Sequence, residues 1–375
     1  MNAPVNEGKH GAEAPKAPPR GVNFVTGASG HLGANLVRAL LARGEEVRVL
    51  YRPGSDNRAV EGLPIERVPG DLTDAKGLAE AMEGCARVYH CAAFVSIRNR
   101  DRRRLFDVNV LGTRHVLEAA RRVGAAKVVH CSSFGAMGRN PAGASNERWV
   151  IDPLEVEMDY ERAKAFAELE VLRAAVRGQN VTIVNPSGII GPWDYKPSMV
   201  GKTMLDFLAG KLRLYITGGF DFVPVYDVVQ GHILAMERGR AGERYLLSGE
   251  TATLEEIIGW WSGWTGRGMP VQIPGRPIEL VAGLKDWVES RWFPNRIPRF
   301  NRSSIRLLRS GKRGDNTKAR TELGLEPTAI RDAFRAQMQW FFDHGFAAAP
   351  RDWVEYRHPN EPAPPTQVAA RAAAG

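Results

Sequence analysis

A tyrosine and a lysine stand four residues apart in Tyr160-Glu161-Arg162-Ala163-Lys164, and so share one face if residues 160–177 form a helix. A phenol, with an ordinary pKa of ~10, is a poor acid or base near neutrality. An ammonium beside it favours the phenolate and moves the phenol toward working range. Such a pair can protonate the alkoxide formed when hydride reaches a ketone, or take the proton back in the reverse direction. Lys164 can also hold a ribose hydroxyl. A further hydroxyl on the substrate oxygen stabilises developing charge. Ser132 and Ser133, at the end of the apolar run 127–131, supply two candidates.

Hydride chemistry needs a carrier, and the chain opens on a place to hold one. Thr26-Gly27-Ala28-Ser29-Gly30-His31-Leu32-Gly33 follows the short apolar run 22–26 and leads into residues 32–42, where Leu32, Leu36, Val37, Leu40 and Leu41 have helical spacing. In a strand–loop–helix of this kind, Gly27 makes the tight turn. Gly30 lets main-chain amides approach a pyrophosphate, and Gly33 lets helix and strand pack closely. The helix N-terminus then attracts the phosphates.

The next strand ends Val49-Leu50-Tyr51-Arg52. A site for NAD usually has an acid at this tip to grip the ribose 2′-hydroxyl. Arg52 stands there instead, and a guanidinium suits the extra phosphate of NADP. Arg58 is placed to assist, and Asp56 is the competing feature. NADP(H) is therefore the expected cofactor, ahead of NAD(H). Small residues at Ala92 and Ala93, after the strand 88–91, let the cofactor ribose lie against the backbone.

These motifs need elements to carry them. Strand-like runs at 22–26, 46–50, 65–68, 88–91, 127–131 and 181–184 alternate with helical stretches at 32–42, 78–82, 105–123 and 160–177. Alternation of this kind predicts an α/β fold, a doubly wound parallel sheet of Rossmann type. After Gly191 the rhythm breaks into Pro, Gly and aromatic residues, which predicts a smaller irregular C-terminal substrate lobe. The expected division is a tail at 1–20, an NADP-binding core at 21–191 with parts of 221–250 returning to it, a substrate lobe and lid at 192–345, and a C-terminal tail at 346–375. Residues 358–375, rich in Ala and Pro, read as disordered.

The Gly-x-x-Gly-x-x-Gly spacing resembles the short-chain dehydrogenase/reductase superfamily, and the motifs that follow do so in order. The resemblance implies that Asp71-Leu72 flanks the adenine, that Asn109 supports the active-site helix, and that Ser133 rather than Ser132 is the catalytic hydroxyl. Where many relatives carry Asn, His90 is a departure. The segment from Asn185 to Pro192 resembles the extended branch, which implies that Pro186 and Ile189 line the nicotinamide pocket. The stretch 47–55 is most similar to dihydroflavonol reductase-like and 3β-hydroxysteroid dehydrogenase-like proteins, and also resembles proteins labelled hopanoid-associated sugar epimerases. The catalytic set so implied is Ser133, Tyr160, Lys164 and Asn109. A homodimer through the active-site helices is implied as well.

One departure bears on substrate. Sugar-nucleotide epimerases of this branch commonly carry an Arg where this chain has Phe220, and Pro224 and Tyr226 depart nearby. A phenyl ring cannot neutralise a diphosphate but packs on an apolar substrate. The expectation is an NADP(H)-dependent oxidoreductase interconverting a ketone and a secondary alcohol on a hydrophobic sterol-, lipid- or flavonoid-like molecule. The alternatives are a sugar-nucleotide epimerase with bound NAD and a non-catalytic dinucleotide sensor.

Composition narrows the classes further. Three cysteines, Cys85, Cys91 and Cys131, make neither a disulfide framework nor a zinc site, which fits a reduced cytoplasm and no metal. The net charge of +9 gathers at 98–104 and at 291–313 without a nucleic-acid-binding motif, so no nucleic-acid partner is expected. Residues 277–313 read either as a lid over the cleft or as a basic, aromatic membrane-surface element.

Overall fold

The computed structural model describes Pro19 and residues 21–274 and 311–360. The proposed lid or membrane element at 277–313 therefore lies almost wholly outside the described residues, as do nearly all of residues 1–20 and the end of the chain from 361.

Seven parallel strands form the main sheet. They are β1 (Val22–Thr26), β2 (Val47–Tyr51), β3 (Glu66–Pro69), β4 (Cys85–His90), β5 (Lys127–Cys131), β6 (Val181–Pro186) and β10 (Arg244–Leu247), in the order β10-β6-β5-β4-β1-β2-β3. Successive side chains point to opposite faces, and here both faces are covered. On one side Val25, Val129 and Val184 pack beneath α1 (His31–Ala42) and α7 (Val225–Arg238). On the other, Phe24, Val128 and Ile183 meet α2 (Ala75–Ala81), α4 (Gly112–Arg122) and α5 (Asp159–Val176). β10 returns to the core sheet from the later part of the chain, beside β6.

The single helix expected over 105–123 has more structure than its periodicity shows. α3 (Arg102–Phe106) runs into a π-helical turn, Asp107–Leu111, and then into α4. A π turn inserts one extra residue into the helical path, and Asn109 sits in it, buried.

The second lobe has its own core. Strands β7 (Gly188–Ile190), β9 (Gly219–Pro224) and β11 (Glu250–Thr253) form one small sheet, and β8 (Leu214–Ile216) pairs with β12 (Val271–Ile273) in another. Helices α6 (Met199–Leu208), α8 (Leu254–Thr265) and α9 (Ile330–Asp343) enclose Phe222, Trp261, Phe334 and Trp340.

The C-terminal tail expected from residue 346 is corrected for residues 346–360. Trp353 Nε1 donates to Gln339 Oε1 at 2.7 Å, its ring meets Phe342, and buried His358 stacks on Tyr226 at 4.5 Å. Proline content signalled a tail, but the aromatic side chains between the prolines have apolar surface to bury, and α9 provides the partner.

Candidate active site

The order of the sheet sets where a ligand fits. β2 and β3 lie on one side of β1, and β4, β5 and β6 on the other, so the chain crosses over between β1 and β4. A crevice opens at the carboxyl ends of such a pair. Its floor is the glycine loop. Gly27 adopts φ +76°, and a Cβ there would come within 2.6 Å of Ala92 N. A Cβ on Gly33 would stand 2.2 Å from Gly27 O. Neither glycine tolerates a side chain, because β4 and the loop's own backbone occupy the space. The first turn of α1 has no side-chain cap, so its amides face the crevice unclaimed by a side chain, as a dinucleotide pyrophosphate requires.

Gly27, Ser29, Gly30, Arg52, Asp71, Leu72, Ala92 and Ala93 line one cleft together. Leu32 points into the core. His31 does something composition did not indicate. Its Nε2–H lies 3.0 Å from both Gly191 O and Pro192 O, so its side chain holds the loop after β7 rather than the cleft. Asn35 Nδ2 donates to the same Pro192 carbonyl, and the Arg38 guanidinium lies 3.6 Å over the Trp193 ring. That loop delivers Lys196, whose Nζ donates to Ser29 Oγ at 3.1 Å. Lys196 was not among the sequence candidates, and nothing in local pattern marks it.

At the β2 tip, Arg52 shares the cleft wall with Ser55, Arg104 and Lys196. Arg58 is engaged instead by Asp56, Nη2 to Oδ2 at 2.9 Å, so the assisting cation and the competing acid neutralise each other. Burial alone would raise the Asp71 carboxyl. Hydrogen bonds from Thr73 N and Oγ1, at 2.9 and 2.7 Å, together with the Arg52 and Arg104 charges, outweigh it and hold Asp71 below its ordinary value.

The proton-handling groups meet at the end of β5. Helix α5 aligns Tyr160, Lys164 and Glu168 on one face at four-residue intervals. Ser132 Oγ donates to Glu168 Oε1 at 2.5 Å, and Asn185 Nδ2 to the same oxygen at 2.6 Å. Ser132 is therefore spent on a buried brace. Ser133 Oγ accepts from Gly135 N at 3.1 Å and faces the Tyr160 phenol closely enough to favour its ionised form. The helical repeat from Tyr160 through Lys164 was the signal that could have found Glu168.

One expectation needs correcting. Lys164 was to draw the phenol toward neutrality. Buried Lys164 instead donates Nζ to Cys131 O at 2.7 Å. Burial pushes the Tyr160 phenol above its ordinary value, with the neighbouring Cys131 and Glu161 adding to the rise and Ser133 opposing it. Desolvation outweighs the ammonium here because the lysine's nearest contact is a carbonyl.

Asn109 does not touch Tyr160 through a described hydrogen bond. Its Oδ1 accepts from Phe94 N at 2.8 Å and its Nδ2 donates to Phe94 O at 2.9 Å, which fixes the backbone just after Ala92-Ala93. His90 is buried between Thr26 Oγ1 and Thr113 Oγ1, at 2.8 and 3.0 Å. Pro186 ends β6 beside Leu247, and Ile189 lies in β7 against the core. Phe220 packs on Phe222 within the lobe, while Tyr226 turns away onto His358.

Residues 23–248 match the model of the NAD dependent epimerase/dehydratase family. The chain is similar to "Sterol demethylase protein B" of Methylococcus capsulatus, with 56% identity across 86% of this chain and 98% of that protein. It is also similar to a "3-beta-hydroxysteroid dehydrogenase" of Mycolicibacterium neoaurum, with 28% identity across 81% of this chain and 86% of that one. To "Sterol-4-alpha-carboxylate 3-dehydrogenase, decarboxylating" of Bos taurus it is 31% identical, over 64% of this chain and 66% of that protein.

Proposed function

The chain belongs to the NAD dependent epimerase/dehydratase family, and from that premise we propose that it is an NADP(H)-using oxidoreductase interconverting a secondary alcohol and a ketone on a sterol-like skeleton. The observation that carries this reading is the grouping of Ser133, Tyr160 and Lys164 at the end of β5, beside the Ala92 wall of the glycine-loop cleft. The sterol assignment rests on the names of the relatives and on the aromatic second lobe with Phe220 in it.

The geometry supports the following roles. The substrate oxygen lies between Ser133 and Tyr160. In the oxidative direction Tyr160 accepts the hydroxyl proton, and in reduction it returns it. Ser133 donates to the oxygen as charge develops. The bound nicotinamide supplies or accepts hydride at the neighbouring carbon. Lys164 holds the nicotinamide ribose. Asn109 keeps the Ala92–Phe94 backbone in place beneath the ribose. Arg52, with Lys196 and Ser29, receives the anionic groups of the adenine half, and no carboxylate stands at the β2 tip to prefer a bare ribose.

Purified protein with NADP⁺ and a 3β-hydroxysterol is expected to form NADPH. Formation of NADPH from simple alcohols but from no sterol would move the substrate class elsewhere. Epimerisation of a nucleotide sugar with cofactor retained would favour the epimerase reading, against which Phe220 now stands.

A further inference from the structure

Glu161 has no part in the reaction as derived, yet it stands next to Tyr160. Its carboxyl packs over the Phe134–Ala136 turn: a Cβ on Gly135 would come within 2.8 Å of Glu161 Cγ and Oε1. Its charge acts on the Tyr160 phenol. Among the described residues no hydrogen-bond donor serves this carboxyl. Lys312 stands on the other side of the turn, donating Nζ to Phe134 O at 2.8 Å and Met137 O at 2.7 Å. Burial raises the Glu161 carboxyl to about 7, with Lys312 opposing. The turn whose Gly135 N–H binds Ser133 Oγ therefore carries against it a second group able to hold a proton at neutral pH.

The proposed oxidation creates a need for one. Two relatives are named for a sterol demethylase and for a decarboxylating dehydrogenase of a sterol carboxylate. Where the carbon next to the alcohol bears a carboxylate, oxidation gives a β-keto acid. The bond to the carboxylate then breaks, its electron pair moves into the carbonyl as an enolate, and CO₂ leaves. No further oxidant is required. The enolate carbon must gain one proton, and Tyr160 works on the oxygen.

We infer that Glu161 is the acid that protonates this carbon. Glu161 gives up one proton per CO₂ released and regains it from solvent, and the Lys312 ammonium steadies the carboxylate left behind. This rests on the oxidoreductase reading above.

The test uses the full chain, NADP⁺ and a 3β-hydroxysterol-4α-carboxylate in D₂O. It follows NADPH, CO₂ and the face that carries deuterium at the new C–H. Wild type is expected to give CO₂ and NADPH in equal amounts with deuterium on one face. Glu161→Gln is expected to form CO₂ and NADPH still in equal amounts but to lower the ratio between the two faces at least about tenfold, the scale of a lost general acid, because the enolate left after CO₂ departs then takes its deuteron from solvent. Glu161→Asp, which restores an acid, is expected to recover much of the facial preference. NADP binding by fluorescence titration identifies a variant that has merely misfolded, and the Asp variant then decides. Unchanged facial deuteration in Glu161→Gln overturns the inference. NADPH without CO₂ from wild type also overturns it and leaves the dehydrogenase reading standing. No NADPH at all from wild type sinks that reading first.

Discussion

Ser132 Oγ and Glu168 Oε1 lie 2.5 Å apart inside the protein, two helical turns beyond Tyr160. That bond separates the work of two adjacent serines. Ser132 is held away from the cleft, and Ser133 is left facing the phenol. Ser133→Ala is expected to lower kcat by ~10²–10³, the usual cost of one lost donor to a developing oxyanion. Ser132→Ala is expected to act on stability, by ~1–3 kcal/mol, because Glu168 loses a buried donor. Steady-state kinetics and urea unfolding on both variants separate the two, and equal kinetic losses would reverse the assignment.

Tyr160→Phe removes only a hydroxyl. Turnover should fall by ~10²–10⁴ while NADP binding stays nearly intact. Lys164→Ala should harm both, since its ammonium holds the ribose that positions the nicotinamide for turnover. Fluorescence titration alongside turnover tests the pair, and a Tyr160→Phe enzyme keeping more than about a tenth of its rate would remove Tyr160 from the chemistry.

The basic end of the cofactor cleft predicts a cofactor switch. Arg52→Asp should weaken NADP about ten- to a hundredfold, the loss of a charge-assisted contact of ~1.5–3 kcal/mol, and should narrow or reverse the preference over NAD. Lys196→Ala should weaken both cofactors, because besides standing near the β2 tip it reaches Ser29 in the phosphate loop. Equal wild-type affinity for the two cofactors would leave the Arg52 argument without support.

Three buried histidines predict acid lability. Burial, with the Lys164 charge adding to it, lowers His90 to about 3. Burial lowers His232 to about 4 despite the Val228 carbonyl, and His130 falls well below its ordinary value. Each is neutral when folded and takes up a proton once unfolded below its ordinary value of 6.5. Their contribution is therefore fully present above about pH 6.5 and is lost as pH falls toward 4 and 3. Denaturation midpoints measured from pH 7.5 to 4.5 should drop across this window, and calorimetry in buffers of different ionisation heat should show proton uptake on unfolding near pH 5. A flat midpoint to pH 4.5 would contradict the burial of these rings.

The features legible in the sequence were those built from neighbours in the chain. The glycine loop needs a strand before it and a helix after it, all within residues 22–42. The Tyr160–Lys164 pair needs one turn of helix, and the parallel sheet follows from alternating periodicities. The brace on Glu168, the reach of Lys196 to Ser29 and the clamp of His31 on Gly191 and Pro192 join segments that approach only once the crossovers have brought β1, β5 and β6 into one sheet and the loop after β7 against α1. Residue type shows what a side chain can donate or accept. Which partner it spends that capacity on is decided by burial, since an inward-facing polar group must take whatever donor or acceptor the packed sheet brings within reach. For that reason the sequence showed two serines, an arginine tip and a tyrosine–lysine face, while the fold engaged Ser132 with Glu168, left Ser133 facing the Tyr160 phenol, and set Glu161 and Lys312 against the turn that follows β5.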